Sequence, residues 1–395
     1  MKSPVYFDWG VSTLFGWGVY GLALLRHWQG VSGSPAFAVG QIQLSSLAGM
    51  DPLSLRALAD PLIQSDHLRL ALEAMPLPRP PLDGILINSL GNQMTGSPPP
   101  SAGGMSGSVA TTAAIFFENT DLPHAAAISR EYAVILAGSS WCEAVLRERG
   151  VENVATVIQG VDPSIFHPAP RSGSLADRFA VFSGGKIEYR KGQDLVVIAF
   201  RAFAKRHPEA ILVTAWHSPW PITAVTINSN PALFPISLTE DGESDISGWI
   251  AGNGIGADQF IDLGTIPNHQ MARVLREMDV AVFPNRCEGG TNLVAMECMA
   301  CGIPTILSDN TGHKDLIAAD NCYVLSRQSA IILDDRGTQG WGESDVDEIV
   351  ESLEAVWQQR DESRRRGAMG AEAMAQLSWR RQIGRLHDVL QLYGP

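Results

Sequence analysis

The chain has 395 residues, of which 45% are hydrophobic and 18% charged, and a formal net charge of -13. This length exceeds one ordinary core and predicts two domains, and the apolar content excludes a disordered chain. The acidic balance excludes nucleic acid as the main partner and a polybasic membrane anchor, both of which need a basic face.

No stretch reaches the roughly 18 apolar residues of a membrane-spanning helix. The nearest, "GVSTLFGWGVYGLALL" at 10–25, is broken by glycine and splits into a loop and an amphipathic helix. The start, "MKSPVYFDWG", has no signal-peptide core, and the cysteines (142, 287, 298, 301 and 322) are odd in number. Free thiols in a reducing, cytoplasmic setting are expected. Cys298 and Cys301 form a CxxC without the second pair that a zinc site wants, so no metal is expected there.

Taken in order, "PVYFDW" predicts a strand and "VYGLALLRHW" a helix. The runs at 84–90, 113–117 and 132–137 predict buried strands. "SWCEAVLRERG" (140–150) predicts a helix capped by Ser140 and stopped by Gly150. After a Pro/Ser/Gly-rich segment at 161–178 the rhythm resumes. Strands are expected at 179–185, 210–216, 259–264, 279–284 and 303–308, with helices at 193–207 and 268–278. Alternating apolar strands and helices imply parallel sheets covered on both faces, here two doubly wound α/β domains. Two segments break the pattern. One is the Gly/Ser/Pro-rich 91–112, expected to be a mobile loop; the other is the insertion 218–244. The tail, 345–394, reads as helical, and Asp345 and Asp347 at its start suit a helix N-terminus better than a metal.

Ligands of open parallel sheets sit beyond the carboxyl ends of the strands, so the loops there carry the chemistry. "FSGGKIEYRKGQDL" (182–195) ends a strand in Gly184 and Gly185 and supplies Lys186, Arg190 and Lys191 before a helix. Glycine amides, a helix N-terminus and two lysines suit a diphosphate; the alternative is a solvated basic turn. "NRCEGGTNLVAMECMACGIP" (285–304) places Glu288 before Gly289, Gly290, Thr291, Asn292 and Leu293, and Glu297 on the following helix. The apolar neighbours of Glu297 make it a buried carboxylate that needs partners, and it could accept two bonds from a diol such as ribose. A third loop, with Gly16, Trp17 and Gly18, follows the first strand and is a ligand-approach loop or a plain strand-to-helix turn.

The first two motifs, with "DLGTIPNHQMARVLREMDVAVFP", "VIQGVDPSIFHP" (157–168) and "AGSSWCEAVLRERG", resemble the retaining family 4 glycosyltransferases over most of 130–320. The first 130 residues resemble it more loosely. The resemblance implies a GT-B fold, two Rossmann-like domains facing across a cleft. It places an acceptor-side domain at 1–168 and a nucleotide-sugar donor domain at 169–378, with a helix at about 379–395 packing back on the first. It implies a hexosyltransferase-like enzyme using a UDP- or GDP-sugar, with no cofactor and no required metal, and a glycan, lipid-linked or protein acceptor. Lys186 stands where the family usually has Arg, and Lys191 matches its Lys; both would hold the diphosphate and stabilise the leaving group. Glu297 matches the second of the paired acids, implying a ribose contact, and Glu288 would be the first, facing the sugar. Eight residues separate them here, one more than usual. Glu118, in "FFENTDLPH", stands nearest the place of a sugar-facing His and joins Glu288, Lys186 and Lys191 as a catalytic candidate; His124 is the poorer candidate. Two other readings remain: a non-catalytic relative that binds nucleotide-sugar or a partner protein, and a phosphate-using synthase or phosphorylase.

Overall fold

The computed structural model describes residues 3–96, 105–331 and 337–393. The chain divides into two compact units, Met1–Gly160 with Pro267–His269 and Leu377–Pro395, and Val161–Ile266 with Gln270–Gln376.

In the first unit, β1 (Val5–Phe7), β2 (Ala36–Ala38), β3 (Ile85–Leu90), β4 (Ala110–Ile115), β5 (Ile135–Ala137) and β6 (Val154–Thr156) form one parallel sheet, ordered β2-β1-β3-β4-β5-β6. Helices α1 (Gly16–Ser32), α2 (Pro52–Ala74), α3 (Ala125–Ser129) and α4 (Ser140–Glu148) connect them. Val5, Phe7, Ile85, Leu86, Ile87 and Ile135 are all buried, as strands covered on both faces must be. The C-terminal helix, Trp379–Tyr393, packs against α1 in this unit, with the Trp379 ring stacked 5.5 Å from Tyr20.

Several boundaries differ from expectation. The cap of α4 is Ser139, whose hydroxyl accepts from the Cys142 N–H at 3.2 Å, so the helix begins one residue earlier than a Ser140 cap would allow. Gly150 takes positive φ just beyond its end. β4 begins at Ala110, inside the stretch expected to be loop, and Asn92–Met94 form a helical turn. The centre of the expected 91–112 loop, residues 97–104, lies outside the described residues.

In the second unit, β7 (Phe179–Gly184), β8 (Ala210–Ala215), β9 (Phe260–Asp262), β10 (Val280–Phe283), β11 (Thr305–Ser308) and β12 (Tyr323–Leu325) form a parallel sheet ordered β12-β11-β10-β7-β8-β9. The connecting helices are α5 (Gln193–Ala204), α6 (Ile246–Gly252), α7 (Met271–Leu275) and α8 (Leu293–Ala300). A hairpin of β13 (Gln328–Ala330) and β14 (Gly342–Ser344) precedes α9 (Val346–Gln358), capped by Asp345, and α10 (Arg360–Ala375). One face of the sheet packs its Phe179, Val181, Leu212, Val280 and Val282 into a core with α5, α6 and α9. The helix expected at 268–278 is a 3₁₀ turn, Asn268–Gln270, followed by only five α-helical residues. Both sheets are Rossmann-like, giving the two domains of a GT-B fold. Among the described residues, no helix is long and apolar enough to cross a membrane.

Candidate active site

Each sheet reverses its strand order once. In the second unit the chain moves outward from β7 through β8 to β9, then returns to the other side of β7 as β10. The loops after β7 and β10 therefore meet at one rim, the place where open parallel sheets bind ligands. This brings together the two motifs singled out in the sequence, although Lys191 and Glu288 lie 97 residues apart.

The meeting depends on close backbone packing. Lys191 lies in the 3₁₀ turn Tyr189–Lys191, which Gly192 ends at φ 72° before α5 begins. A Cβ on Gly192 would lie 2.4 Å from the Pro284 carbonyl oxygen, so a glycine is needed on both counts. The Arg286 N–H donates to the Arg190 carbonyl at 2.7 Å, fixing one loop on the other. Gln193 donates to the carbonyls of Gly185 and Lys186 and holds the glycine end of the first loop.

Glu288 sits at the centre and is buried. Its carboxylate pairs with Lys191 Nζ at 2.5 Å and Arg190 Nη1 at 3.2 Å, and accepts from Asn285 Nδ2. Arg190 also donates to the Cys287 carbonyl at 2.7 Å and pairs with Glu188, which pairs with Lys186 at 2.9 Å. The resulting chain of alternating charges runs Lys191, Glu288, Arg190, Glu188, Lys186. Burial alone would raise the pKa of Glu288, but Lys191, Arg190 and His313 reverse that and hold it at about 2. Burial is likewise outweighed at Glu188 by Arg190, Lys186 and Lys191, so its pKa is lowered. Both carboxylates are ionised at neutral pH.

The glycine turn is buried from Asn285 to Leu293, and the next loop lies over it. Thr311 Oγ1 accepts from the Glu288 N–H at 2.8 Å, and the Gly312 N–H donates to the Glu288 carbonyl at 3.0 Å. Asn292 adopts φ 66°, uncommon for a non-glycine residue, and caps α8 through Oδ1, which accepts from the Ala295 N–H. That bond leaves Asn292 Nδ2 facing His313 Nε2 at 3.1 Å as donor. His313 Nδ1 faces Ser308 Oγ at 2.9 Å, and Ser308 donates onward to the Asn285 carbonyl. The network assigns the proton of neutral His313 to Nδ1. Burial lowers the His313 pKa, with Lys191 assisting and Glu288 opposing, to about 4.

A second buried pair supports the same rim. Arg286 Nη1 and Nη2 each lie 2.7 Å from an Asp194 carboxylate oxygen, both residues being fully buried. Arg286 also reaches Glu343 and the Tyr189 carbonyl, and its guanidinium lies 3.7 Å from the centre of the Tyr189 ring. It thereby fixes the turn that carries Lys191. Burial opposes the Arg286 charge, and Asp194 more than offsets this, raising its pKa.

Thus the structure brings together Gly184 at the end of β7, Gly185, Lys186, Lys191, Glu288, Gly289, Gly290, Thr291 and Asn292 on adjoining loops, and Leu293 at the start of α8. Glu297 lies buried within α8. Glu118, Gly16, Trp17 and Gly18 belong to the first unit. There, Gly16 opens α1, and Gly18 packs so closely on Ser12 that a Cβ would lie 2.5 Å from its carbonyl oxygen. Trp17 packs on Trp9 at 4.9 Å and Phe116 at 4.7 Å. The half-buried Glu118 follows β4, its N–H donating to Asn92 Oδ1. Asp8, which sequence reading passed over, joins the ends of β1 and β3 at this sheet's own reversal, accepting from Asn88 Nδ2 and from Ser89 N–H and Oγ.

Glu188, Arg190, Asp194, Asn285, Arg286, Ser308 and His313 were likewise not assigned in advance. Two signals pointed to them: three cations within six residues at 186–191, and polar residues clustered in "SDNTGH" at the end of a buried strand.

Residues 170–332 match the family Glycosyl transferases group 1. A GDP-mannose-dependent alpha-(1-6)-phosphatidylinositol dimannoside mannosyltransferase of Mycobacterium tuberculosis is 26% identical over 178 residues, 44% of this chain. The chain spans 40% of the length of that relative. Among solved structures, sucrose-phosphate synthase from Thermosynechococcus elongatus superposes with a TM-score of 0.65 at 15% identity, covering 99% of each chain. HepE of Anabaena, in complex with UDP and glucose, gives 0.64 at 10% identity over 99% of this chain and 100% of its own. These structures share the fold.

Proposed function

We propose that this chain, with its group 1 glycosyltransferase segment at 170–332, transfers a hexose-type unit from a nucleotide-sugar to an acceptor hydroxyl with retention of configuration. The observation that carries this reading is the meeting of Arg190 and Lys191 with Glu288, and of Lys186 with Glu188, at the strand reversal between β7 and β10. Lys186 and Lys191 hold the diphosphate and stabilise the charge that develops on the leaving phosphate. Glu297 takes the ribose and Glu288 faces the sugar. In the step itself, the bond from the anomeric carbon to the phosphate oxygen breaks, and the acceptor oxygen bonds to the same face of that carbon. The acceptor proton passes to the departing phosphate. Charge neutralisation by the lysines needs no metal and no cofactor.

The M. tuberculosis relative uses GDP-mannose and the Anabaena structure holds UDP, so both nucleotide classes are candidates. The acceptor, a glycan, lipid-linked or protein hydroxyl, belongs to the first unit, where Gly16–Gly18 at the start of α1 are candidate contacts and Glu118 is the sugar-facing candidate. We place the protein in the cytoplasm, a setting supported by its five buried cysteines, none of them in a disulfide.

Calorimetric titration with UDP and GDP, followed by incubation with UDP- and GDP-hexoses and nuclear magnetic resonance of the product anomer, tests the proposal. Nucleotide binding and a product with the donor's anomeric configuration are expected. Absence of nucleotide binding would overturn it. The extra residue between Glu288 and Glu297 favours the second reading, a non-catalytic nucleotide-sugar binder, which would bind the donor without consuming it.

A further inference from the structure

The insertion at 218–244 has no part in the reading above, yet it is built onto the same rim. It follows β8, the strand beside β7, and carries a 3₁₀ helix at Pro221–Ser229. Ala224, Ile227 and Ile236 anchor it in the core. Thr223 Oγ1 donates to the Ile187 carbonyl at 3.2 Å, and Thr226 Oγ1 accepts from the Tyr189 N–H at 3.0 Å. Asn230 Nδ2 donates to Asp194, the partner of Arg286. The insertion is thus pinned at three points to the loop that carries Lys186 and Lys191, or to its support.

At the start of this pinned segment stands Trp220, 48% exposed, with Lys186 Nζ 5.9 Å from its ring centre. The same unit buries Trp216 and Trp249 almost completely. A large, half-exposed aromatic ring on a well-anchored turn, with a cation over one face, is suited to pack its other face against a flat ring whose neighbour is anionic. The ion pairs also give it a place along the site: Glu288, Arg190, Glu188, Lys186 and then Trp220 follow one another. In this order of contacts Trp220 is the member furthest removed from Glu288.

We infer that Trp220 is a stacking platform for the nucleobase of the nucleotide, so that the 218–244 insertion forms part of the donor site. The inference rests on the reading above, in which the lysines hold the diphosphate and Glu288 faces the sugar; the end away from Glu288 then receives the nucleoside. Stacking is tolerant of base identity because every base has a flat face. Trp220 accordingly contributes affinity, and neighbouring polar groups would choose the base.

The test titrates wild type, Trp220→Ala and Trp220→Phe with UDP, GDP and inorganic pyrophosphate, and with the corresponding nucleotide-hexose. Trp220→Ala should weaken the nucleoside diphosphate that wild type binds by about tenfold, the size expected for one base on one aromatic side chain. Trp220→Phe should recover most of that loss, and pyrophosphate affinity should not change. Nucleotide should quench tryptophan emission less in Trp220→Phe than in wild type. Equal nucleoside diphosphate affinity in Trp220→Ala and wild type would overturn the inference while leaving the donor-site reading intact. A loss confined to the nucleotide-hexose would overturn it too, by placing the ring at the sugar. Wild type that binds neither UDP nor GDP would overturn both readings.

Discussion

A single carboxylate, that of Glu288, is surrounded by Lys191, Arg190 and Asn285, and the two ends of its pairing with Lys191 should separate by mutation. Lys191→Ala removes a cation from the proposed diphosphate site, and a charge-assisted bond is worth roughly 1.5 to 3 kcal/mol. Nucleoside diphosphate affinity should fall about tenfold to a hundredfold in calorimetry. Unchanged affinity would take Lys191 out of the site. Glu288→Gln keeps the shape but leaves Lys191 and Arg190 without their shared anion. Free nucleotide binding should survive while turnover of the intact donor falls, the pattern of a contact made to the reacting sugar. Equal loss of nucleotide binding in both variants would count against the sugar assignment of Glu288. Lys186, Lys191 and Glu297 could be singled out as candidates in the sequence because each stands in a motif. The partners of Glu288 were not, because no spacing reveals that a turn at 189–191 and one at 285–288 share a rim. That depends on β10 returning to the inner side of β7.

At the scale of elements, most strands were readable because burial on both faces leaves uninterrupted apolar runs; the three-residue β2 and β12 were not. Helix α2 was not: Leu53, Ile63 and Leu70 lie exposed on it while Ser54 and Ser65 are buried, so its stripe is blurred. The insertion 218–244 was visible only as a break in rhythm, because 3₁₀ turns carry no long period. The turn 189–192 gives an element-scale prediction. Gly192→Ala places a Cβ in left-handed backbone and against the Pro284 carbonyl. Strain of this kind costs about 1–3 kcal/mol, and a unit of this size loses roughly 2–4 °C per kcal/mol. The melting temperature should fall by about 2–12 °C on that basis. Nucleotide affinity should fall with it, since the turn that carries Lys191 must shift. A melting temperature equal to wild type would show that the backbone relaxes without strain.

For the whole molecule, the buried charges of the second unit set an acid limit on stability. His313 has its pKa lowered in the folded chain to about 4 from 6.5, first by burial and then by Lys191, against the pull of Glu288. Between these values the unfolded chain binds a proton that the folded chain refuses, so stability falls as pH drops through that window. The slope from this one group is at most about 1.4 kcal/mol per pH unit. Glu288 adds a second window: its folded pKa of about 2 lies below 4.5, so its contribution is present above 4.5 and is lost as pH falls toward 2. Glu188, lowered in the same direction, acts with it. The two windows follow each other, and the melting temperature should decline from about pH 6.5 downward rather than only below pH 4.5. His313→Gln separates them. It removes the upper window and keeps the lower one, so its melting temperature should be flatter than wild type between pH 6.5 and 4.5, whatever its value at neutral pH. Protonation of His313 would set an Nε2–H against the donor group of Asn292, which cannot turn without giving up the α8 cap. The upper decline should therefore coincide with loss of order at Asn292 and the glycine turn, which amide hydrogen exchange would register as faster exchange at Ala295 and Glu288. Parallel pH profiles for wild type and His313→Gln would show that His313 does not govern the upper limb.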